Sequence, residues 1–274
     1  SNADEYAFFS KYILRIPTRI GFRFKNRGRF LNFRKEIPSG FVDHPVTSYY
    51  LSLLEFLTSA PRASEKKLYF YVDPKDETWA FHFLKDHSVV PKDMKICLLP
   101  GGGASWGNQA HLRFWPSHHF VEIGKKLIQK YKARLILIGS PQEKAVCDDI
   151  QRQIPYPVIN AAGLTTLGQL ASLMKASDLV VGSECGPLHL ATALDVKNIA
   201  IYGPVSPTVY GPYSDTPHRQ TVIFHALPCR PCYKDFRIAP CFNQLCLKEL
   251  EADTVFKSIE NVLATFVDSA PKTA

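Results

Sequence analysis

The sequence predicts an α/β protein with a parallel sheet covered on both faces. Three observations carry that reading. From residue 94 onward, short apolar runs recur without polar alternation, as in strands buried on both sides. Segments with one apolar helical face separate them, the rhythm of βαβ units. Glycines stand at the carboxyl ends of several runs, where an open α/β sheet takes its ligands.

The elements follow in order. Ser1-Asn2-Ala3 has the form of a tag remnant and is set aside. The stretch 6–15 reads as an apolar strand or helix end, broken by Pro17. Residues 19–38 are basic and aromatic without clean periodicity. Pro45 precedes a helical pattern carried by Tyr49, Leu53, Leu54 and Leu57. The run KLYFYV at 67–72 reads as a short strand. Asp76 is placed to cap a helix carrying Trp79, Phe83 and Leu84, and Val89, Val90 and Pro91 read as a linker.

The regular part begins with an apolar strand at 94–99, followed by Pro100-Gly101-Gly102-Gly103. Ser117 is placed to cap a helix over 118–131 with Phe120, Ile123 and Leu127 on one face. RLILI at 134–138 is a strand ending in Gly139-Ser140, and Pro141 opens the next helix. A short strand at 158–159 and an amphipathic helix over 166–175 follow. Then come a buried strand at 178–181, a short helix over 187–194 and a strand at 198–202. Residues 94–265 thus read as one doubly wound domain.

Composition narrows the function classes. With 46% hydrophobic and 21% charged residues, the 274-residue chain is not disordered, fibrous or a long coiled coil. No run reaches the ~18–20 consecutive apolar residues of a membrane span. The opening residues do not read as a secretory signal. The net charge of +8 comes from 33 Lys+Arg against 25 Asp+Glu. Nine basic side chains and no acid fall within 11–35: Lys11, Arg15, Arg19, Arg23, Lys25, Arg27, Arg29, Arg34 and Lys35. They form either a solvated face or a docking surface for phosphate groups. No nucleic-acid motif accompanies them, so nucleic acid is not an expected partner.

The seven cysteines, an odd number, fit a reducing cytosol better than a disulfide scaffold. Cys229-x-x-Cys232, with Cys241 and Cys246 close behind, could hold a structural zinc, but plain packing thiols are the favoured reading. Cys97 and Cys147 read as core.

Three strand ends could carry chemistry. After 94–99, PGGGASWGNQ lets backbone approach an anion, although it is neither G-x-G-x-x-G nor G-K-[ST], and a plain glycine turn competes. After 178–181, Gly182-Ser183-Glu184-Cys185-Gly186-Pro187-Leu188-His189 joins a carboxylate, an unhindered helix start and an imidazole; His189 alone could equally be a core histidine. After 198–202, Gly203-Pro204-Val205-Ser206-Pro207 fixes a stiff loop, either a pocket wall or a structural turn.

The order PGGGASWG…RFWP, GSECGPLHLATAL, IYGPVSP resembles glycosyltransferase family 9, the heptosyltransferases of lipopolysaccharide synthesis. That family shows PGA…K-x-W-P, then N-D-[ST]-G-P-x-H-L-A-A-A-L, then [YF]-G-P-[TS]-x-P. The resemblance covers about 94–265 and extends to Arg19-Ile20-Gly21-Phe22 and the helix after His44-Pro45-Val46; the loop 104–116 is more like the type II enzymes.

The resemblance implies a GT-B fold of two Rossmann-like domains. Residues 4–91 would be the remaining part of the N-terminal, acceptor-side domain, and 92–274 a complete donor domain. It implies inverting transfer of heptose from ADP-L-glycero-D-manno-heptose to a Kdo–lipid A type acceptor, with no obligatory metal or other cofactor. The place implied is cytoplasmic, peripheral at the inner face of the bacterial inner membrane, with residues 11–35 facing an anionic membrane surface. The donor set carried over is Gly102, Gly103, Ala104, Ser105, Arg113, Ser183, Glu184, Cys185, Gly186 and His189. Arg113 stands for the family's Lys, Glu184 for its Asp, and Cys185 for its Thr or Ser. The family's general-base Asp has no match, so the catalytic residue is left unassigned. The resemblance implies an N-terminally incomplete member, inactive as it stands because the N-terminal catalytic segment is absent; the alternative is a catalytically incomplete homologue or fragment that binds a nucleotide sugar without turnover.

Overall fold

The computed structural model describes residues 3–58 and 67–268. The chain forms two compact units. The first is drawn from Ser1–Glu65, Val205–Gly211 and Pro231–Pro240; the second from Lys66–Pro204, Pro212–Arg230 and Cys241–Ala274.

In the first unit, the stretch expected as strand or helix end forms α1, Ala3–Tyr12. Asp4 and Glu5 in its first turn and Lys11 in its last suit the helix dipole. The aperiodic basic stretch hides two short strands, β1 (Ile20–Arg23) and β2 (Phe33–Glu36), paired in parallel from Ile20↔Phe33 to Arg23↔Glu36. Helix α2 (Val46–Ser52) follows Pro45 as the periodicity predicts and tightens into a 3₁₀ turn, Leu53–Phe56. A two-residue hairpin, Tyr233–Lys234 with Arg237–Ile238, belongs to this unit. Asp235 at its turn pairs with Lys25 at 2.8 Å, and Phe236 packs edge-on against Phe24 and Phe41.

The second unit begins with a correction. Residues 67–73 form no strand. Their burial alternates with period two, Tyr69 and Tyr71 being exposed, but no neighbouring strand pairs with them. Helix α3 (Pro74–Asp86) is capped by Asp73 rather than Asp76: the Asp73 carboxylate accepts the Lys75 N–H at 2.9 Å, and Pro74 takes the first helical position. Helix α3 packs against a helix of the sheet domain, so contacts divide the chain near residue 66 instead of 91.

The sheet elements then alternate: β3 (Lys95–Leu99), α4 (Ser117–Tyr131), β4 (Arg134–Leu137), α5 (Lys144–Gln153), β5 (Ile159–Asn160), α6 (Leu167–Lys175), β6 (Leu179–Ser183), α7 (Gly186–Ala193), β7 (Asn198–Ile201) and β8 (Gln220–Ile223). Helix α8, Ala252–Asp268, closes the unit. Helix α4 starts at Ser117 itself; its cap position is Pro116 and no side chain caps it. Helix α6 has the Thr166/Gln169 capping box, each side chain accepting the other's backbone N–H.

All neighbours pair in parallel in the order β5-β4-β3-β6-β7-β8. That is the doubly wound order whose direction of growth reverses between β3 and β6, opening a crevice at their carboxyl ends. Every residue of β3 and β6 is buried, and Ile96, Leu98, Leu135, Leu137, Leu179 and Val181 are fully so. Burying each large side chain contributes about 1.5–3 kcal/mol. Among the described residues, no helix is long and apolar enough to cross a membrane.

Candidate functional site

The crevice is set by close approach of β3 and β6. A Cβ on Gly182 would fall 2.6 Å from Leu99 Cβ and 2.8 Å from Leu99 O, so only glycine fits beside that backbone. The loops that follow β3, β4 and β6 surround a cavity of about 360 Å³, within the span of ligand pockets. Its lining includes Gly103, Ser140, Glu143, Thr166, Cys185 and Pro187.

The turn after β3 was expected to cradle an anion, and it does so with one of the protein's own. Glu143 Oε1 accepts the Gly103 N–H at 2.9 Å, and Oε2 accepts the Ser140 N–H at 2.8 Å. Gly103 has φ 73°, which turns the chain there and favours glycine. A Cβ on Gly101 would meet the Glu143 carboxylate at 1.9 Å. Sequence reading missed Glu143. Its signal was Ser140-Pro141-Gln142-Glu143, the S-x-x-E spacing of a capping box at a strand end.

Beside this cavity, next to the lining residue Cys185, a charged pair lies outside the lining itself. Arg113 and Glu184 are both buried, 7% exposed each, and face each other with Nη1 3.4 Å from Oε2. Arg113 stacks on the Trp106 ring at 4.8 Å. Arg113 Nε and Glu184 Oε2 lie buried with no hydrogen-bond partner among the described residues. Such a pair is costly unless something completes it. His189, in the first turn of α7, places Nε2 3.8 Å from Glu184 Oε1. A Cβ on Gly186 would touch nothing, so the start of α7 is open.

The remaining residues of the carried-over set divide. Gly102 packs against Phe114 and the Arg113 side chain. Ala104 and Ser105 open the 3₁₀ stretch Ala104–Arg113, and their side chains lie outside the described residues. Ser183 is fully buried, and its Oγ accepts the Trp115 N–H at 3.0 Å, which fixes the loop carrying Arg113. Trp115 is held further by Nε1 donating to Leu250 O at 2.8 Å. Cys185 lines the cavity, but burial pushes its thiol up to about 12, leaving a weak neutral donor.

The third strand end splits: Tyr202 to Pro204 belongs to the second unit and Val205 onward to the first. Cys229 and Cys241 are exposed, Cys232 is half-buried and Cys246 is buried. Among the described residues, no three His, Cys, Asp or Glu side chains gather as a metal would require. Within the basic stretch, Arg23 pairs with Glu36, Lys35 with Glu55, and Arg19 donates to Phe30 O, whereas Arg15, Arg27 and Arg34 are exposed.

Comparison with known proteins shows the family and the fold. The model of glycosyltransferase family 9 (heptosyltransferase) matches residues 6–242. Lipooligosaccharide heptosyltransferase 2 of Haemophilus influenzae is 27% identical over 216 residues, 76% of this chain and 60% of that protein. The Campylobacter jejuni protein of the same name is 25% identical over 191 residues, 69% of this chain and 58% of its own. The chain thus spans about three fifths of the length of these curated relatives. Among solved structures, Escherichia coli ADP-heptose lps heptosyltransferase II superimposes with a TM-score of 0.69 at 21% identity, over 97% of this chain and 75% of that one. E. coli heptosyltransferase WaaC with ADP gives 0.54 at 21% identity, over 85% and 60%. These likenesses show a shared fold. With the family model covering most of its length, the chain belongs to glycosyltransferase family 9.

Proposed function

We propose that the crevice between β3 and β6 binds the nucleotide of ADP-heptose, and that the protein acts in heptosyl transfer to the lipopolysaccharide or lipooligosaccharide inner core. The observation that carries this is the buried Arg113–Glu184 pair beside the open start of α7, with one polar atom of each unsatisfied. A diphosphate there completes Arg113 and meets the unhindered N–H groups at Gly186. Glu184 keeps an oxygen for a sugar hydroxyl. Glu143, pinned by Gly103 and Ser140, keeps lone pairs for ribose hydroxyls. E. coli heptosyltransferase WaaC, whose fold this chain shares, has been solved with ADP.

In this reading the residues stabilise the departing diphosphate. Negative charge grows on ADP as the bond to the anomeric carbon breaks, and Arg113 and the α7 N-terminus lie where it grows. An inverting displacement also needs a base for the acceptor hydroxyl, and no residue is assigned to it. The acceptor is a Kdo–lipid A type molecule at the cytoplasmic face of the inner membrane, and Arg15, Arg27 and Arg34 supply exposed cations toward it.

The test is a thermal melt with saturating ADP, UDP, GDP or CDP, followed by a transfer assay with ADP-heptose. Selective stabilisation by ADP supports the nucleotide site; at 100 times Kd it is worth about 2.7 kcal/mol. Equal or absent shifts with all four nucleotides refute it. ADP binding with no transfer restricts the role to nucleotide-sugar binding.

A further inference from the structure

A larger cavity lies in the second unit, at the other end of β3 from the nucleotide crevice. It holds about 680 Å³ between the carboxyl halves of α3 and α6 and the segment leading into β3. Its walls are apolar: Ala80, Phe81, Leu84, Val89, Val90 and Ala176. Phe81 and Val90 are 59% and 44% exposed, an unusual state for side chains bordering a cavity this size. The four ionisable residues of the lining are Lys85, Lys95, Lys175 and Glu77, so cations outnumber the single acid.

The lysines differ in ways that matter. Lys95 is buried, 9% exposed, at the first position of β3. Its ammonium donates to Pro91 O at 3.1 Å and Asp93 O at 2.6 Å, and the nearest carboxylate oxygen, on Asp178, is 3.8 Å away. Two of its three donors are used in hydrogen bonds, and the third has Asp178 at ion-pair distance but beyond hydrogen-bond reach. Lys175 is balanced by Glu77 at 2.7 Å. Lys85 is exposed and pairs with no carboxylate among the described residues. An apolar concavity with a few polar groups is the usual build of a small-molecule site, and this one is half open, bordered by exposed Phe81 and Val90. Here the polar groups are one buried cation with a spare donor and one exposed, unpaired cation.

We propose that this cavity binds one free amphipathic anion: a single acyl chain against Ala80, Phe81, Leu84 and Val89, with its carboxylate held by Lys95 and Lys85. The ligand is the dissolved monomer rather than a bilayer. Lys85 and Lys95 line the same cavity, whose other walls at Ala80, Leu84 and Val89 are apolar. The site is separated from the nucleotide crevice by the length of β3, so the two ligands bind side by side. This inference stands independently of the nucleotide reading.

The test uses calorimetric titration of the whole chain with dodecanoate below its micelle concentration. Dodecanol and dodecyltrimethylammonium, of the same chain length, serve as neutral and cationic controls. The expected result is saturable one-to-one binding of dodecanoate, at least tenfold tighter than either control and unchanged by saturating ADP. Lys85→Glu, an exposed change that leaves packing alone, should weaken dodecanoate severalfold and narrow or reverse the preference over the cation. Ala176→Phe, at a half-buried wall position, should abolish binding of all three while the melting temperature stays within a few degrees. Equal affinity for the anionic and cationic chains overturns the proposal. So does binding indifferent to both substitutions, or attachment to phosphatidylglycerol vesicles without binding of the monomer.

Discussion

Glu143 Oε1 accepts the backbone N–H of Gly103 at 2.9 Å, tying the turn after β3 to the turn after β4. The glycine-rich turn is thereby filled by a carboxylate, which leaves the α7 end as the proposed seat for a diphosphate. Glu143→Ala should leave two N–H groups short of partners and cost about 1–3 kcal/mol in a urea melt. The preference for ADP over 2′-deoxy-ADP should collapse in the same variant. Gly101→Ala, whose methyl would displace the carboxylate, should reproduce the binding defect, and the two changes together should be less than additive. Retained ribose discrimination in Glu143→Ala would remove Glu143 from the site.

Arg113 and Glu184 should separate stability from binding. Removing one partner strands a buried charge, so Arg113→Ala or Glu184→Ala should each cost about 3–5 kcal/mol. The paired change Arg113→Met with Glu184→Leu should recover most of that stability but not nucleotide affinity. Arg113→Lys keeps the charge and loses the planar fork, so intermediate affinity is expected. Nucleotide affinity surviving in the Met/Leu pair would place the diphosphate elsewhere.

His119 should make the protein acid-labile. Burial against Trp115, with repulsion from His118 added, holds its pKa below the ordinary 6.5. The folded state keeps the ring neutral while the unfolded chain takes up a proton below pH 6.5, so stability is present above that pH and is lost as pH falls through it. His119→Phe should flatten the dependence of the melting temperature on pH between about 7 and 5. An unaltered slope would assign the acid effect to other groups.

Thiol labelling should fall into two classes. Cys229 and Cys241 are exposed and should react with iodoacetamide in the native protein. Burial pushes Cys97, Cys147 and Cys185 up to about 12, so they should label only after unfolding. Native labelling of Cys185 would show that the crevice opens to solvent.

The buried strands of the second unit were legible because residues such as Ile96-Cys97-Leu98 admit no other arrangement once both faces are covered. Pairing was not legible. KLYFYV has the composition and alternation of a strand and is half-buried in that alternation, yet no edge lies beside it. The short strands β1 and β2 lay inside a basic stretch, because four residues each are too few to show a period. At the site, the family-like positions Arg113 and His189 both face Glu184, while Ser183 turns out to brace Trp115. Glu143 escaped because its importance comes from a strand forty residues away, which local spacing does not display.

Trp115, two residues beyond Arg113, donates its indole N–H to the carbonyl of Leu250, which follows it by 135 residues. The arginine loop is therefore anchored by chain made long after it. During synthesis the sheet strands β3 to β7 can pair as they emerge and Ser183 can take the Trp115 N–H, but the indole lacks its second anchor until residue 250 has cleared the ribosome. Full bracing of the arginine loop is thus a late event in the life of each molecule, completed after the scaffold that surrounds it.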